Sequence, residues 1–353
     1  VPTVVNDFGG TTPRQIQLAS QPSGDEMVMV VSDSSGNDTA WVWDGSSWTS
    51  QRSLDTSGGN LTSVYVSYEQ ISGDALVTYA KSGDANFYYQ IWNGTSWSAE
   101  ASVAPPGGVT SSANWVTLGS DPSSDRIVMG VVTSGGTAAD TWLSVWNGSS
   151  WEASLQAETS ATGSVYPNVA VAFESTSGQA IAVYGENGSN TVKYRTWDSG
   201  SGWSTEQTGP DIGGIPNSLI LASDPQSDAV MLSAQDDNSH VNYVLLDGAA
   251  WGATTGLATA TTEVKNQPFL FLWDQQSGNM APTDLVTTST ASGGVTLNED
   301  GGNDVYFVAD DGGGLLGGLT AVTIEASFSI STPATGPTTL LSYADGANDE
   351  ELG

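Results

Sequence analysis

The sequence predicts an all-β protein: a β-propeller of about six four-stranded blades, with five blades as the alternative, plus a partial β-sandwich-like segment at the C-terminus. The first observation is a turn bounded by tryptophans that recurs five times. Its copies read VWDGSSW, IWNGTSW, VWNGSSW, TWDSGSGW and LLDGAAW, at residues 42–48, 91–97, 145–151, 196–203 and 245–251. The closing tryptophans are 48 to 54 residues apart. A period of about fifty residues is typical of propeller blades.

The composition is the second observation. The chain has 353 residues, with 13 Trp, 11 Tyr and 42 Gly, and no cysteine. Aromatic residues favour strands and glycine favours tight turns, so we expect many short strands and little helix. Without cysteine there is no disulfide and no thiolate metal site, so stability must come from packed sheets.

Each repeated unit is predicted to contain four antiparallel strands. About thirty residues before each closing tryptophan, apolar residues alternate with period two, as in a half-buried first strand; the segments are residues 16–19, 64–67, 115–118, 169–172 and 219–222. A turn rich in Pro, Ser, Gly and Asp leads into the second strand, and another polar turn leads into the third. The third strand leads into the repeated turn bounded by tryptophans, which we call the tryptophan phrase. Its Asn-Gly or Asp-Gly pair, present in four of the five copies, predicts a hairpin, and the closing tryptophan opens the fourth strand.

A sixth unit begins at residues 267–272 and continues through residues 276–279, but it lacks the tryptophan phrase. At the other end of the chain, residues 2–5 precede the first complete unit and have the pattern of an orphan fourth strand. A ring closes most simply if that strand completes the sixth unit, so six blades are favoured over five. The predicted propeller spans residues 1–280.

The fourth phrase resembles a known structural turn. Residues 198–203, with the sequence DSGSGW, are similar to the Asp-box, a turn between the third and fourth strands of many propellers. The other copies are one residue shorter and keep only Asp or Asn, Gly and Trp. Propellers with such turns include sialidase-like glycosidases, adhesins, lectins and structural surface proteins, so the resemblance implies architecture and leaves the activity open.

The chain changes character after residue 280. Residues 294–308 and 319–328 resemble the opening strands of a laminin-G or concanavalin-like module, as found in calcium-rich bacterial surface proteins. Such a sandwich needs more than about 100 residues, so the module predicted at residues 281–353 is incomplete. The missing strands are expected to lie in a longer polypeptide or to come from a neighbouring chain; alternatively, these strands complete the last blade.

The charge balance excludes some partners. Seven Lys plus Arg against 39 Asp plus Glu give a formal net charge of −32. This field repels phosphates and anionic membranes, so nucleic acid is excluded as a partner. No apolar run approaches the length of a membrane span, so no membrane insertion is expected, and any export signal has been removed or lies outside this chain. The polar, Ser/Thr/Gly-rich composition favours an extracellular or cell-surface location.

Calcium is the one cofactor that the sequence suggests. Hard oxygen ligands occur in Gly-rich turns near the C-terminus, at Asp300, Asn303, Asp304, Asp310 and Asp311. Their spacing does not match the twelve-residue helical calcium loop. Solvated acidic turns are therefore the alternative interpretation.

The aromatic residues divide into two groups. The closing tryptophans occupy one fixed position per blade, so we expect them to fill the space between blades and not to form a ring of sugar-stacking platforms. Aromatics that differ between blades are candidates for ligand contact, and we select Trp41, Tyr89, Trp142 and Tyr243. A packing role is the alternative for each of the four.

The sequence does not favour an enzyme. A sialidase needs several arginines around a carboxylate, but the four arginines of this chain occupy unlike blade positions: Arg14, Arg52, Arg126 and Arg195. The single histidine, His240, lies in a predicted turn, and no Gly-x-Ser-x-Gly phrase marks a nucleophile. We therefore expect no catalytic residue.

These observations predict an extracellular, non-enzymatic surface protein for adhesion or assembly. It would bind cell-surface glycans or proteins, and it could self-assemble through the strands of its C-terminal segment. An Asp-box glycoside hydrolase and a purely structural filament or matrix subunit are the alternatives.

Overall fold

The computed structural model describes residues 11–57, 63–135, 139–162, 166–258, 285–287, 307–309, 341–344 and 349–352. All regular elements in these ranges are β-strands, which confirms the predicted all-β class. Five consecutive antiparallel sheets fill residues 13–258, and we call them blades 1 to 5; the fourth has five strands and the others have four.

The strand bounds follow the predicted units closely. Blade 1 contains β1 (Pro13–Ser20), β2 (Met27–Asp33), β3 (Asp38–Trp43) and β4 (Trp48–Asp55). Blade 2 contains β5 (Val64–Tyr68), β6 (Ala75–Ala80), β7 (Phe87–Trp92) and β8 (Ala101–Val103). Blade 3 contains β9 (Ala113–Ser120), β10 (Ile127–Thr133), β11 (Ala139–Trp146) and β12 (Leu155–Ala161). Blade 4 contains β13 (Val169–Phe173), β14 (Ala180–Tyr184), β15 (Thr191–Asp198), β16 (Gly202–Trp203) and β17 (Gln207–Asp211). Blade 5 contains β18 (Pro216–Ser223), β19 (Val230–Asp236), β20 (Val241–Leu246) and β21 (Thr255–Ala258).

The fourth strands differ from the sequence prediction. The closing tryptophan opens the fourth strand only in blade 1; in blades 2, 3 and 5 it forms a single bridge to the third strand, and the fourth strand begins later. In blade 2 the reason is a side chain: Ser98 Oγ accepts the hydrogen bond from Ile91 N at 2.9 Å in place of a backbone carbonyl. In blade 4, Ser204 Oγ accepts from Thr196 N in the same way, and the fourth strand is split into β16 and β17.

The hydrophobic core lies between the blades. The first strands of consecutive blades contact each other, so the strands β1, β5, β9, β13 and β18 are neighbours. Each of the four core clusters joins two adjacent blades. In blade 3, for example, Val116 and Leu118 of β9 pack with Leu76 and Phe87 of blade 2. Each of blades 2 to 5 therefore buries one face of its sheet against the preceding blade.

Four short strands lie beyond blade 5. Their backbones pair as two antiparallel ladders: β22 (Leu285–Thr287) with β23 (Phe307–Ala309), and β24 (Leu341–Ala344) with β25 (Asp349–Leu352). The chain divides into two units, Val1–Pro282 with Ser292–Gly294, and Thr283–Ala291 with Val295–Gly353. The predicted sixth unit and the orphan strand at residues 2–5 lie outside the described residues. The partial sandwich stays a prediction.

Blade 1 contains a buried cluster of carboxyl groups where three strands end. Asp38 pairs with Ser32 on one side and with Asp55 on the other, and Asp33 follows Ser32. Asp38 is 2% exposed, and its Oδ1 lacks a hydrogen-bond partner among the described residues. Burial, reinforced by the charges of Asp55 and Asp33, raises the pKa of Asp38 to about 8.

This cluster predicts that stability falls with rising pH. Folded Asp38 binds its proton more tightly than the unfolded chain does, so its contribution is present below the unfolded pKa of 3.8 and is lost as pH rises through about 8. From about pH 6 to pH 9 the free energy of unfolding should fall by about 2 to 3 kcal/mol from this group. Urea unfolding at both pH values should show the fall in the parent chain and a smaller one in Asp38→Asn. If the free energy of unfolding fell equally with pH in the two proteins, the raised pKa assigned to Asp38 would be contradicted.

Candidate functional site

The five tryptophan phrases fold into one kind of turn. In the first copy, Asp44 Oδ1 accepts hydrogen bonds from Ser46 N at 2.9 Å and from Ser47 N at 2.8 Å. The corresponding acceptors in the other copies are Asn93, Asn147, Asp198 and Asp247. Hydrogen bonds from Ser46 and Ser47 lower the pKa of Asp44 to about 2. These side chains hold the turns in shape and are structural.

Four of the five closing tryptophans pack between blades, as predicted, whereas the ring of Trp48 contacts Trp43 of its own blade. Trp97, Trp151, Trp203 and Trp251 are half-buried, and each contacts the cluster that its own blade shares with the preceding one. Trp97 Nε1 also donates a hydrogen bond to Ser50 O of blade 1 at 2.8 Å. The inter-blade interfaces are therefore where aromatic side chains and polar groups meet.

One of these interfaces contains a cleft. It lies between blades 4 and 5 and encloses about 140 Å³. Blade 4 contributes Glu174, Tyr194, Thr196 and Gln207, and blade 5 contributes Leu246 and Gly248. A cavity of about 150 Å³ holds one benzene molecule, so this cleft has room for one ring-sized group.

Glu174 supplies the charged group of the cleft. It follows β13 directly and is 5% exposed. Its Oε2 accepts a hydrogen bond from Ser177 Oγ at 2.5 Å, and among the described residues Oε1 has no hydrogen bond. Burial is the largest cause of a raised pKa for Glu174, and the nearby charge of Asp228 adds to it. A nearly buried carboxylate with one unused oxygen can accept a hydrogen bond from a ligand.

One aromatic side chain, Tyr194, lines the cleft, and a second ring, Trp251, packs against it from outside the lining. The rings of Tyr194 and Trp251 meet edge to face, with their centroids 5.6 Å apart and an interplanar angle of 81°. The Tyr194 hydroxyl donates a hydrogen bond to Gln207 Oε1 at 2.9 Å, which fixes the ring from its outer end. The cleft is thus lined mainly by polar groups, with Tyr194 as the aromatic side chain among them.

The interface between blades 2 and 3 contains a glutamate and a tyrosine at the corresponding positions, but a tryptophan side chain fills its cleft. Glu69 occupies the position of Glu174, and its Oε2 accepts from Ser72 Oγ at 2.5 Å. Its Oε1 accepts from Trp146 Nε1 at 2.5 Å. The Tyr89 ring lies 5.5 Å from Trp146 and 5.9 Å from Trp151. The Trp146 indole therefore fills the space beside Glu69. In blade 5 the corresponding residue is Leu246, which bridges to Trp251 as Trp146 does to Trp151.

The four predicted ligand-binding aromatics differ in burial: two are buried and two are half-buried. Trp41 is 4% exposed and Trp142 is 1% exposed, so neither indole offers surface to a ligand, and the packing alternative fits both. Tyr89 and Tyr243 are half-buried. Both lie three residues before the third-strand residue that pairs with the closing tryptophan, Trp92 or Leu246, as Tyr194 does before Trp197, so the three tyrosines share one position in the blade. Ligand contact by these two tyrosines stays a prediction.

The predicted calcium ligands at residues 300–311 lie outside the described residues, so that prediction stays untested. Across the part of the chain that is described, no group of three or more His, Asp or Glu side chains is arranged to hold a metal ion. Within the same residues, no helix has the length and apolar character needed to cross a bilayer.

Sequence reasoning missed Glu174, Tyr194, Gln207 and Leu246. The signal for the first two was present: a glutamate follows the first strand in blades 2 and 4, and a tyrosine lies at one position in blades 2, 4 and 5. Aligning all strands blade by blade, and not only the tryptophan phrases, reveals both. Leu246 stands out only as the apolar residue where other blades have tryptophan.

The fold is similar to that of a lectin from Burkholderia pseudomallei. The TM-score is 0.54 and the sequence identity 13%, over 70% of this chain and 72% of that chain. The chain is a β-propeller. No protein-family model and no curated protein matches it.

Two further solved structures have lower scores. A fucose-specific lectin from Aleuria aurantia has a TM-score of 0.43 and 14% identity, over 72% of this chain and 80% of that chain. A mutant sialidase from Streptococcus pneumoniae has a TM-score of 0.44 and 12% identity, over 69% of this chain and 61% of that chain.

The burial of Trp142 predicts a core role that unfolding can measure. Its ring meets Phe87 edge to face at 6.4 Å in the cluster between blades 2 and 3. Trp142→Ala should lower the free energy of unfolding by about 3 to 5 kcal/mol. Tyr243→Ala, at a half-buried position, should cost clearly less. A Trp142→Ala protein as stable as the parent chain would contradict the core assignment.

Proposed function

We propose that this protein is a non-enzymatic glycan-binding propeller of the lectin type that works outside the cell in adhesion. The observation that carries the proposal is the cleft between blades 4 and 5, where Glu174 and Tyr194 line a cavity with room for one ring. The lectin fold similarity fits this function but concerns the fold alone.

The chemistry of the cleft suits a sugar ring. A sugar presents hydroxyl donors at its edge and C–H groups on its faces. Glu174 Oε1 is placed to accept from a hydroxyl, as Glu69 Oε1 accepts from the Trp146 indole. Tyr194 supplies an aromatic ring for a sugar face, and its edge-to-face contact with Trp251 holds that ring in place. The filled cleft between blades 2 and 3 supports the arrangement, since an N–H donor on a ring occupies it.

The ligand class is a neutral sugar. The cleft contains a carboxylate, and the whole chain has a net charge of −32. An acidic sugar such as a sialic acid or a uronic acid would bring a second negative charge beside Glu174 and meet the repulsive field of the chain. Hexoses and N-acetylhexosamines carry hydroxyl or amide donors without that cost.

Binding fits the site better than hydrolysis does. A glycosidase uses two carboxyl groups on either side of the scissile bond, and Glu174 is the single carboxylate among the residues that line the cleft. Three of the four arginines, which a sialidase would need at its site, are engaged elsewhere: Arg52 Nε donates to Gln90 Oε1, Arg195 Nε donates to Tyr184 Oη, and Arg126 lies over the Trp197 ring. Assembly through the C-terminal strands and calcium binding stay further hypotheses.

Glu174→Gln should weaken glycan binding about tenfold, because a charge-assisted hydrogen bond is roughly twice as strong as a neutral one. The parent chain and the variant would be compared on an array of neutral, sialylated and uronic-acid glycans, with titration calorimetry on the best neutral binder. Glu69→Gln is the matched control, since its cleft is filled by Trp146 and its binding should equal that of the parent. Equal loss in both variants, or binding confined to acidic glycans, would overturn the proposal.

Exchanging the residue that fills or opens the cleft gives a second test. Leu246→Trp should place an indole against Glu174 and abolish binding, as in the filled cleft. Trp146→Leu should open the cleft between blades 2 and 3 and add one binding site per chain. Native mass spectrometry with the sugar found on the array counts the sites, and thermal unfolding checks that both variants fold. A Leu246→Trp protein that binds as the parent does would place the site elsewhere.

A further inference from the structure

The side chain that fills the cleft between blades 2 and 3 shows what kind of group fits beside the glutamate. The Trp146 indole is a flat, largely apolar group that has one N–H donor and no acceptor, and its Nε1 donates to Glu69 Oε1. The indole is buried in the cluster between these blades. A planar group with one N–H therefore satisfies the glutamate and buries apolar surface at the same time.

In the open cleft between blades 4 and 5, Glu174 is held as Glu69 is. Ser177 Oγ donates to Glu174 Oε2. Blade 5 holds the turn that contains this serine, because Asp228 Oδ1 accepts from the backbone N–H groups of Thr176 at 2.9 Å and Ser177 at 2.8 Å. The corresponding residues of the filled interface are Ser72, Asp125 and Ile71. With Oε2 engaged in this way, Oε1 is the oxygen of Glu174 that is left to a ligand.

The open cleft contains a glutamine that has no counterpart in the filled one. Gln207 lines the cleft and pairs with Tyr194 on the neighbouring strand, whereas Ala101 pairs with Tyr89 at the same place in blade 2. The Tyr194 hydroxyl donates to Gln207 Oε1, and among the described residues Gln207 Nε2 has no hydrogen-bond partner. The bond from Tyr194 orients the amide, so the cleft offers an N–H donor in a fixed place.

A second glutamine, Gln179, also lines the open cleft, and no described residue forms a hydrogen bond with its side chain. Its counterpart in blade 2 is Asp74, since the backbone N of each donates to the serine Oγ of its own turn, Ser177 or Ser72, at 3.1 Å. A carboxylate only accepts hydrogen bonds. The filled cleft thus has no amide donor at either position, which matches an indole without an acceptor. The open cleft has two such donors, so its ligand needs an acceptor as well as a donor.

Apolar groups and a small volume complete the description of the open cleft. Leu246 and Ala249 line it from blade 5, and the Tyr194 ring lines it from blade 4. The volume of about 140 Å³ is close to that of a cavity that holds benzene, and a hexose has more non-hydrogen atoms than benzene. The cleft therefore encloses one substituent of a sugar together with part of the ring. That substituent has to combine a donor, an acceptor and apolar surface.

We propose that the cleft between blades 4 and 5 recognises the acetamido group of an N-acetylhexosamine. This inference rests on the glycan-binding function proposed above and narrows its ligand class. The amide N–H donates to Glu174 Oε1, and the carbonyl oxygen accepts from the side-chain amides of Gln207 and Gln179. The methyl group contacts Leu246 and Ala249. The planar amide then takes the place that the indole has in the filled cleft.

An unsubstituted hexose matches these groups less well. One of its hydroxyls can donate to Glu174, but a further hydroxyl then lies against Leu246 and Ala249, where it loses its hydrogen bonds to water. The acetamido group has its donor, its acceptor and its methyl group in one plane, so each meets a group of the matching kind. We expect the N-acetylhexosamine to bind about tenfold more tightly than the hexose with the same ring, which is about 1.4 kcal/mol.

Saturation-transfer NMR and titration calorimetry on the full chain test the acetamido assignment. The ligands are N-acetylglucosamine, N-acetylgalactosamine, glucose, galactose and the N-methyl derivative of each acetamido sugar, which keeps the carbonyl but has no amide N–H. The acetyl methyl protons should receive the strongest saturation, because the methyl group lies inside the cleft. At least one acetamido sugar should bind about tenfold more tightly than its hexose, and N-methylation should remove that advantage.

Gln207→Glu tests the donor to the carbonyl oxygen in the same assay. The variant keeps an oxygen for the Tyr194 hydroxyl and replaces Nε2 by a second oxygen, so the preference for the acetamido sugar over its hexose should disappear. The ratio of the two affinities is the readout, because the added charge acts on both sugars. Ala101→Glu, at the corresponding position of the filled interface, is the matched control and should leave the ratio unchanged. Thermal unfolding checks that both variants fold.

The outcomes distinguish this inference from the proposed function. Equal affinity for a hexose and its N-acetyl derivative, with the strongest saturation on ring protons, would overturn the acetamido assignment and leave glycan binding in place. An acetamido preference that survives in Gln207→Glu would overturn it too. A peptide with acetylated lysine is included because it has the same group on a protein. Binding to that peptide without binding to any of the sugars would overturn both the assignment and the proposed function.

Discussion

The structure depends on the packing of each blade against the one before it. A four-stranded sheet of this size cannot bury both faces alone, so stability comes from repeated contacts between neighbours. In blades 2 to 5, the apolar residues of each first strand pack on the preceding blade, and the closing tryptophan contacts the same cluster. Any site that this fold can offer a ligand at these interfaces is therefore made of residues from two blades.

The same packing limits what the interfaces can bind. Glu69 and Glu174 are buried carboxylates, which the fold tolerates because each accepts a hydrogen bond from a serine of its own turn. Glu69 also has the Trp146 indole, so that interface is complete without a ligand. In the interface of blades 4 and 5, Leu246 stands where the other interface has Trp146. The Glu174 carboxylate is still present as an acceptor, but no indole N–H is there to donate to it. A single residue difference thus separates a core from a cleft.

Local features were predictable from the sequence, and contacts between distant residues were not. The hairpins could be predicted because the Asn-Gly and Asp-Gly turns specify them over a few residues. The cleft could not, since Glu174 and Leu246 are far apart in sequence and meet only through blade stacking. Trp142 and Tyr89 also looked equivalent as sequence. Strand register and neighbouring blades decide that Trp142 is buried while Tyr89 stays half-buried.

The size of the cleft has a consequence for adhesion. The proposed ligand is a single sugar ring, with about a dozen non-hydrogen atoms. At about 0.3 kcal/mol per atom, such a ligand gains about 4 kcal/mol, which corresponds to a Kd of about 1 mM. One site of this kind cannot hold a cell to a surface. Linked sites raise avidity by about 10² to 10⁴ without any new contact, so adhesion through this cleft requires many copies displayed together.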